Sequence, residues 1–181
     1  MPAQEMDAIA LLKADHRKVE ELFEKFESAK SSSVKQKLVE QICTELTVHT
    51  TIEEEIFYPA CTGQVEDEDL VQEAYVEHDG AKVLIAELTG AGPDDAFYDA
   101  KVKVLSEMIK HHVKEEEKRS EGLFAEAKEA GLDMDALGER MAARKKELLA
   151  EIKQNGIPAP QTRSFKGHEL EQGTPIGQEA A

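Results

Sequence analysis

Tryptophan is absent from this 181-residue chain, and aromatic residues of all kinds make up only 5% of it. A β-sandwich core leans on aromatic and β-branched side chains, so their scarcity in a chain one-third charged points to helices with one apolar face. Basic residues are also short, at 22 against 38 acidic, for a net charge of −16. Phosphate binding needs a basic face, so neither nucleic acid nor an anionic membrane surface is an expected partner. No apolar run approaches the ~20 residues that span a bilayer. The opening MPAQEMDAIALLKADH lacks the basic start and apolar stretch of a secretory signal, so a cytoplasmic location is expected. Cysteine is limited to Cys43 and Cys61, 18 residues apart on one expected helix. That is roughly 27 Å, far beyond disulfide reach, and they read as free thiols.

What is present is a set of helical stripes. Ile9, Leu12, His16, Val19, Phe23 and Phe26 form one face of a helix expected from about Ala3 to Lys30. Ser31-Ser32-Ser33 breaks it and offers an N-cap. Leu38, Ile42, Leu46, His49, Glu53, Ile56 and Ala60 repeat the pattern up to Thr62-Gly63-Gln64. A third stripe runs Leu70, Ala74, His78, Ala81, Ile85, Leu88, and Gly90 to Asp95 supplies a stop followed by a cap. Val102, Leu105, Ile109, His112 and Glu116 mark the fourth helix. Short connections make antiparallel neighbours, so residues 1–131 are expected to form an all-α, up-down-up-down four-helix bundle. Residues 132–154 read as a fifth, amphipathic helix, with Leu137, Met141, Arg144, Leu148 and Ile152 in register, packed on or beside the bundle. Residues 155–181, rich in Pro and Gly without periodicity, read as a flexible tail.

Each of the four stripes is interrupted once by ionisable residues: His16, then His49 and Glu53, then His78, then His112 and Glu116. Residues four apart on a helix differ by about 40° in direction, so His49/Glu53 and His112/Glu116 can each aim two groups at one point. In an antiparallel hairpin, residues equidistant from the turn lie at one height. The midpoints of 16 and 49, 49 and 78, and 78 and 112 are 32.5, 63.5 and 95, each in or beside a turn. All four histidines therefore share one level. Glutamate supplies 28 of 181 residues, so a single His-x-x-x-Glu means little; His16/Glu20 and His111/Glu115 are two more. Burying four imidazoles and two carboxylates together without a cation would cost several kcal/mol per ionised carboxylate. The pattern points to a two-metal site bridged by carboxylates, with iron, manganese or zinc suited to the donors. Periodicity leaves His111/Glu115 open beside His112/Glu116.

The segments LLKADHRKVEELFEKFE, HTTIEEEIFYPA, VEHDGAKVL and HHVKEEEKRSEGLFAEA together give H…HxxxE…H…HxxxE. Over about residues 5–130 the chain resembles the bacterial HHE cation-binding branch of the hemerythrin-like family. The resemblance implies a non-haem di-iron centre, two iron ions per chain with an oxo or hydroxo bridge, held by His16, His49, Glu53, His78, His112 and Glu116. It favours His112/Glu116 over His111/Glu115. It also implies small diatomic ligands or peroxide as partners, in oxygen, nitric oxide or peroxide chemistry or in redox and iron sensing or storage. A monomer or weak homodimer is expected. Two departures stand out. Oxygen carriers have a fifth histidine on the third helix, whereas positions four either side of His78 are Ala74 and Lys82; Tyr75 is a candidate extra ligand. The stretch KRSEG before Leu123, where the family runs into Leu-Phe-Pro, is expected to distort the end of the fourth helix. Within Glu53-Glu54-Glu55, one buried and two solvated members are expected, and His168 is expected to play no part.

Overall fold

The structure, a computed structural model, describes residues 6–165. Its helices are α1 (Ala8–Ser28), α2 (Ser32–Ile52), α3 (Tyr58–Cys61), α4 (Glu68–Thr89), α5 (Tyr98–Glu117), α6 (Leu123–Glu129) and α7 (Met134–Asn155). A π-helical segment, Glu53–Phe57, joins α2 to α3 without a break. Helices α1, α2, α4 and α5 pack around a common core as the up-down-up-down bundle. No strand occurs among the described residues, and none of their helices is long and apolar enough to cross a membrane.

Local chemistry sets the helix ends. Helix α1 begins at Ala8, later than the expected Ala3, because Asp7 accepts a hydrogen bond from Ala10 N at 2.7 Å and so caps it. Asp67 and Asp133 cap α4 and α7 in the same way. Ser31 occupies the N-cap position of α2, but its hydroxyl bonds Ser33 Oγ instead of a backbone N–H. Before α5 the Asp95 carboxylate bonds Gly92 N, and the residue entering the helix is Phe97, left-handed at φ 67° and 77% exposed. The KRSEG stretch does end α5, at Glu117. Gly122 folds back there so closely that a Cβ would lie 2.6 Å from Glu116 O.

The apolar core is split in two. One half gathers Leu11, Leu12, Val48, Ile52, Phe57, Leu123, Phe124, Leu137 and Met141; the other gathers Val19, Phe23, Phe26, Ile42, Leu46, Ile85, Leu105 and Ile109. Between them lies a buried layer of His16, His49, Glu53, His78, His112 and Glu116. Cys43 and Cys61 are free and buried, and burial pushes both thiols up to about 12, which leaves them unreactive at neutral pH.

Helix α7 lies across α1, α2 and the π segment, with Leu137, Met141 and Leu148 buried. Its Gly138 sits so close to the start of α1 that a Cβ would lie 2.5 Å from Met6 O and 2.8 Å from Ala8 N. Alanine favours a helix interior over glycine by about 1 kcal/mol. Gly138→Ala is nonetheless expected to destabilise the protein by about 1–3 kcal/mol, since backbone must move to admit the methyl. Chemical denaturation checks the sign: a variant more stable than the parent would rule out this close crossing.

The first part of the stretch expected as a flexible tail makes polar contacts to the bundle. Arg163 N, Ser164 N and Ser164 Oγ all donate to Asp79 Oδ2, and Arg163 Nε donates to Glu54 Oε2 at 3.1 Å. The stretch has few apolar residues, and these contacts go to the buried carboxylates of Asp79 and Glu54. Residues 166–181, including His168, lie outside the described residues.

Candidate metal centre

The four histidines point Nε2 into the polar layer in two facing pairs. His16 Nε2 and His49 Nε2 are 3.2 Å apart, as are His78 Nε2 and His112 Nε2. The two glutamates join the pairs. Glu53 Oε2 is 3.1 Å from His49 Nε2 and 3.3 Å from His78 Nε2. Glu116 Oε2 is 3.4 Å from His16 Nε2 and 3.5 Å from His112 Nε2. Two groups result, each with donor atoms within 4.8 Å of one another: His16, His49, Glu53, Glu116, and Glu53, His78, His112. Glu53 belongs to both. His111, by contrast, has a side chain 64% exposed and pairs with Glu77, so of the two neighbouring histidines it is His112 that faces inward.

Tyr58, which periodicity did not single out, is also part of the layer. Its hydroxyl lies 3.2 Å from Glu53 Oε2, 3.1 Å from His78 Nε2 and 2.9 Å from Glu116 Oε1. On an α-helix, residues five apart point about 140° apart. The π segment removes that offset: Tyr58 N–H bonds Glu53 O, which stacks residue 58 over residue 53. Tyr75, the candidate extra ligand, sets its ring edge-on against Tyr58 at 5.2 Å.

Every imidazole turns its Nδ1 to a carboxylate on the preceding helix of the bundle. Asp15 on α1 faces His49 at 3.7 Å, an ion-pair distance. Glu54, just past α2, bonds His78 at 3.1 Å. Glu77 on α4 bonds His112, and Glu117 on α5 returns to His16, both at 2.7 Å. Each of these acids adjoins a residue of the inner layer in sequence: Asp15-His16, Glu53-Glu54, Glu77-His78, Glu116-Glu117. The hydrogen-bonded partners of His16, His78 and His112 fix the ring orientation and tautomer that a metal-binding imidazole needs, whereas Asp15 meets His49 only at ion-pair range. They also correct the reading of Glu53-Glu54-Glu55, since Glu54 is buried and only Glu55 is solvated.

The electrostatics of the layer call for positive charge. Burial pulls His16 down to about 4. Burial opposes charge on His49 as well, but Glu53 and Asp15 outweigh it and lift it to about 10. Burial together with Glu53 pushes Glu116 up to about 8. Burial penalises Glu53 too, yet His49 and His78 hold it well below the usual range. Two protons, on His49 and Glu116, thus neutralise a site in which Glu53 Oε1 and Glu116 Oε2 have no hydrogen-bond partner. Divalent cations would displace those protons and satisfy the orphaned oxygens, so the donor set fits metal.

Above the imidazoles, Val19, Leu46, Ile109 and Val113 roof a cavity of about 10 Å³. On the opposite side Phe124 stacks on the His16 ring at 5.9 Å. The space suits one water-sized molecule.

The chain is similar to known proteins. A "DNA nickase" from Nostoc sp. (strain PCC 7120 / SAG 25.82 / UTEX 2576) is 29% identical over 114 residues, which is 63% of this chain and 32% of that protein. The chain thus spans about a third of that relative's length. A solved HHE cation binding domain-containing protein, the Rv2633c homologue from Mycobacterium kansasii, is 22% identical with a TM-score of 0.69, over 83% of this chain and 94% of that one, and shares the fold. The model of the hemerythrin HHE cation binding domain matches residues 7–127, and the chain belongs to that family.

Proposed function

We propose that this is a non-haem di-iron protein that takes up a small oxidant, namely oxygen, nitric oxide or peroxide, and supports its redox conversion. The observation that carries the reading is the sharing of Glu53 Oε2 and Glu116 Oε2 between two imidazole pairs, the arrangement two bridged ions need. His16, His49, Glu53, His78, His112 and Glu116 would hold the ions. Imidazole and carboxylate together suit iron, which supplies one-electron redox chemistry when bound. The small cavity under the apolar roof is suited to a ligand of a few atoms.

The chain's own residues supply the rest. Neither position four residues from His78 offers a fifth imidazole: one is Ala74, and the other is Lys82, which turns its ammonium to Glu54, so histidine does not close the α4 side of the site. Tyr58 faces that side and holds a proton at its hydroxyl, because burial and the nearby Glu116 and Glu53 raise it well above the usual phenol range. That proton sits within hydrogen-bond reach of the layer and is placed to stabilise a reduced oxygen or nitrogen ligand. Nicking of DNA is not carried over from the Nostoc protein, because the shared segment is a third of it and a net charge of −16 opposes the phosphate backbone.

The test is anaerobic loading with Fe(II), metal analysis, and steady-state assay of peroxide and nitric oxide consumption. About two irons per chain and many turnovers are expected. No retained iron would end the metal reading. Two irons with no more than one equivalent consumed would instead make the protein a sensor or an iron store.

A further inference from the structure

Four carboxylates brace the four imidazoles, and a basic side chain stands behind each carboxylate. Arg17 Nη2 bonds Glu117 at 2.9 Å, and His111 faces Glu77 at 3.3 Å. These two braces are held from within the family domain. The other two also take a hold from beyond residue 127, which for Glu54 adds to the grip of Lys82 on α4. Lys145 on α7 pairs with Asp15, which faces His49. Arg163 bonds Glu54, which bonds His78.

The segment around Arg163 does more than touch Glu54. It fastens to Asp79, the residue after His78, through three donors from Arg163 and Ser164. Its Gln161 carbonyl accepts from Lys82 Nζ at 3.0 Å, and Lys82 in turn grips Glu54 at 2.6 and 2.9 Å. The brace behind His78 is therefore held jointly, directly by Lys82 from α4 and by Arg163 from this segment, which also anchors Lys82 through the Gln161 carbonyl. The brace behind His49 has a different weakness. Asp15 Oδ2 and His49 Nδ1 have no other partner, so Lys145 on the far oxygen is what fixes the carboxylate.

We propose that the chain beyond the family domain is a working part of the metal centre, with Lys145 and Arg163 acting as positioning residues that orient His49 and His78 through Asp15 and Glu54. The proposal rests on the metal reading for its consequence but not for its geometry. It makes the site asymmetric: His49 and His78, one from each imidazole pair, answer to the C-terminal chain, whereas His16 and His112 do not.

The experiment compares Arg163→Gln, Lys145→Gln and the double variant with the conservative Arg163→Lys and Lys145→Arg, in the full chain. Leu148→Ala serves as a control that loosens α7 without touching a carboxylate. Long-range proton–nitrogen spectra of the metal-free protein should show the ring nitrogens of His49 moving in Lys145→Gln, those of His78 in Arg163→Gln, and both in the double variant. His16 and His112 should stay put and the conservative variants should restore the parent pattern. In iron-loaded protein, the double variant should lose metal to a chelator about tenfold faster, the lower end of what loss of such partners costs. Unchanged rings, four rings moving alike, or the same shifts in Leu148→Ala would each overturn the proposal. Failure of the parent to take up iron would sink the metal reading alone, because the ring-nitrogen pattern still decides this one.

Discussion

Replacing Glu53 with alanine is expected to abolish metal retention in both halves of the centre, whereas replacing His112 should empty only one. Glu53 is fully buried, and a single oxygen of its carboxylate stands 3.1 Å from His49 and 3.3 Å from His78. It is the residue common to both donor groups, and no described carboxylate other than Glu116 reaches the same space. His112 contributes to one group and leaves the His16–His49 pair intact. Loss of a supporting partner alone lowers metal affinity about 10- to 100-fold, so removing a shared ligand should exceed ~100-fold. Metal analysis after desalting should give about two irons for the parent, about one for His112→Ala and almost none for Glu53→Ala. His111→Ala, at an exposed position, should match the parent. Parent-like iron in Glu53→Ala would show that the carboxylate does not bridge.

The inner layer was legible in the sequence because helices impose two strict rules. Period 3.6 puts His49 with Glu53 and His112 with Glu116, and hairpin symmetry puts the four histidines at one height. Tyr58 escaped both, since it lies five residues from Glu53 and only a π turn aligns that spacing. Nothing in EEEIF announces such a turn. The bracing acids escaped for a different reason. Asp15, Glu54, Glu77 and Glu117 each adjoin an inner-layer residue, but in a chain with 28 glutamates such adjacency is commonplace. Their role appears only when neighbouring helices are placed, because each acts on the next helix and not on its own. The segment at Gln161–Ser164 was illegible for a third reason. Its hold on Asp79 runs largely through backbone N–H groups, which no residue type advertises.

The metal-free protein is expected to lose stability as pH rises above about 6.5, with the iron-loaded protein far less affected. Burial and Glu53 raise Glu116 to about 8, above an unfolded value of 4.5. Its contribution is full below 4.5 and is lost as pH rises through 8. His49, lifted to about 10 against its burial by Glu53 and Asp15, contributes fully below 6.5 and loses that contribution as pH rises through 10. The raised value of His78 acts in the same direction. The opposing groups act lower: His16, lowered to about 4, adds stability as pH rises from 4 to 6.5, and the contribution of Glu53 is already complete above 4.5 and is lost only as pH falls below it. Above 6.5 the native state therefore holds up to about two more protons than the unfolded chain, a fall of order 1–3 kcal/mol per pH unit. Ordinary surface carboxylates are already ionised there and add little slope. Bound cations replace these protons, so loading should flatten the profile. Urea denaturation of metal-free protein at pH 6.5, 7.5 and 8.5 measures this directly. Glu116→Gln, a permanent mimic of the protonated acid, should be the more stable protein at pH 8.5 and show a shallower slope. A flat or rising profile in the metal-free parent, or an unchanged slope in Glu116→Gln, would mean that the buried layer does not hold its charge as described.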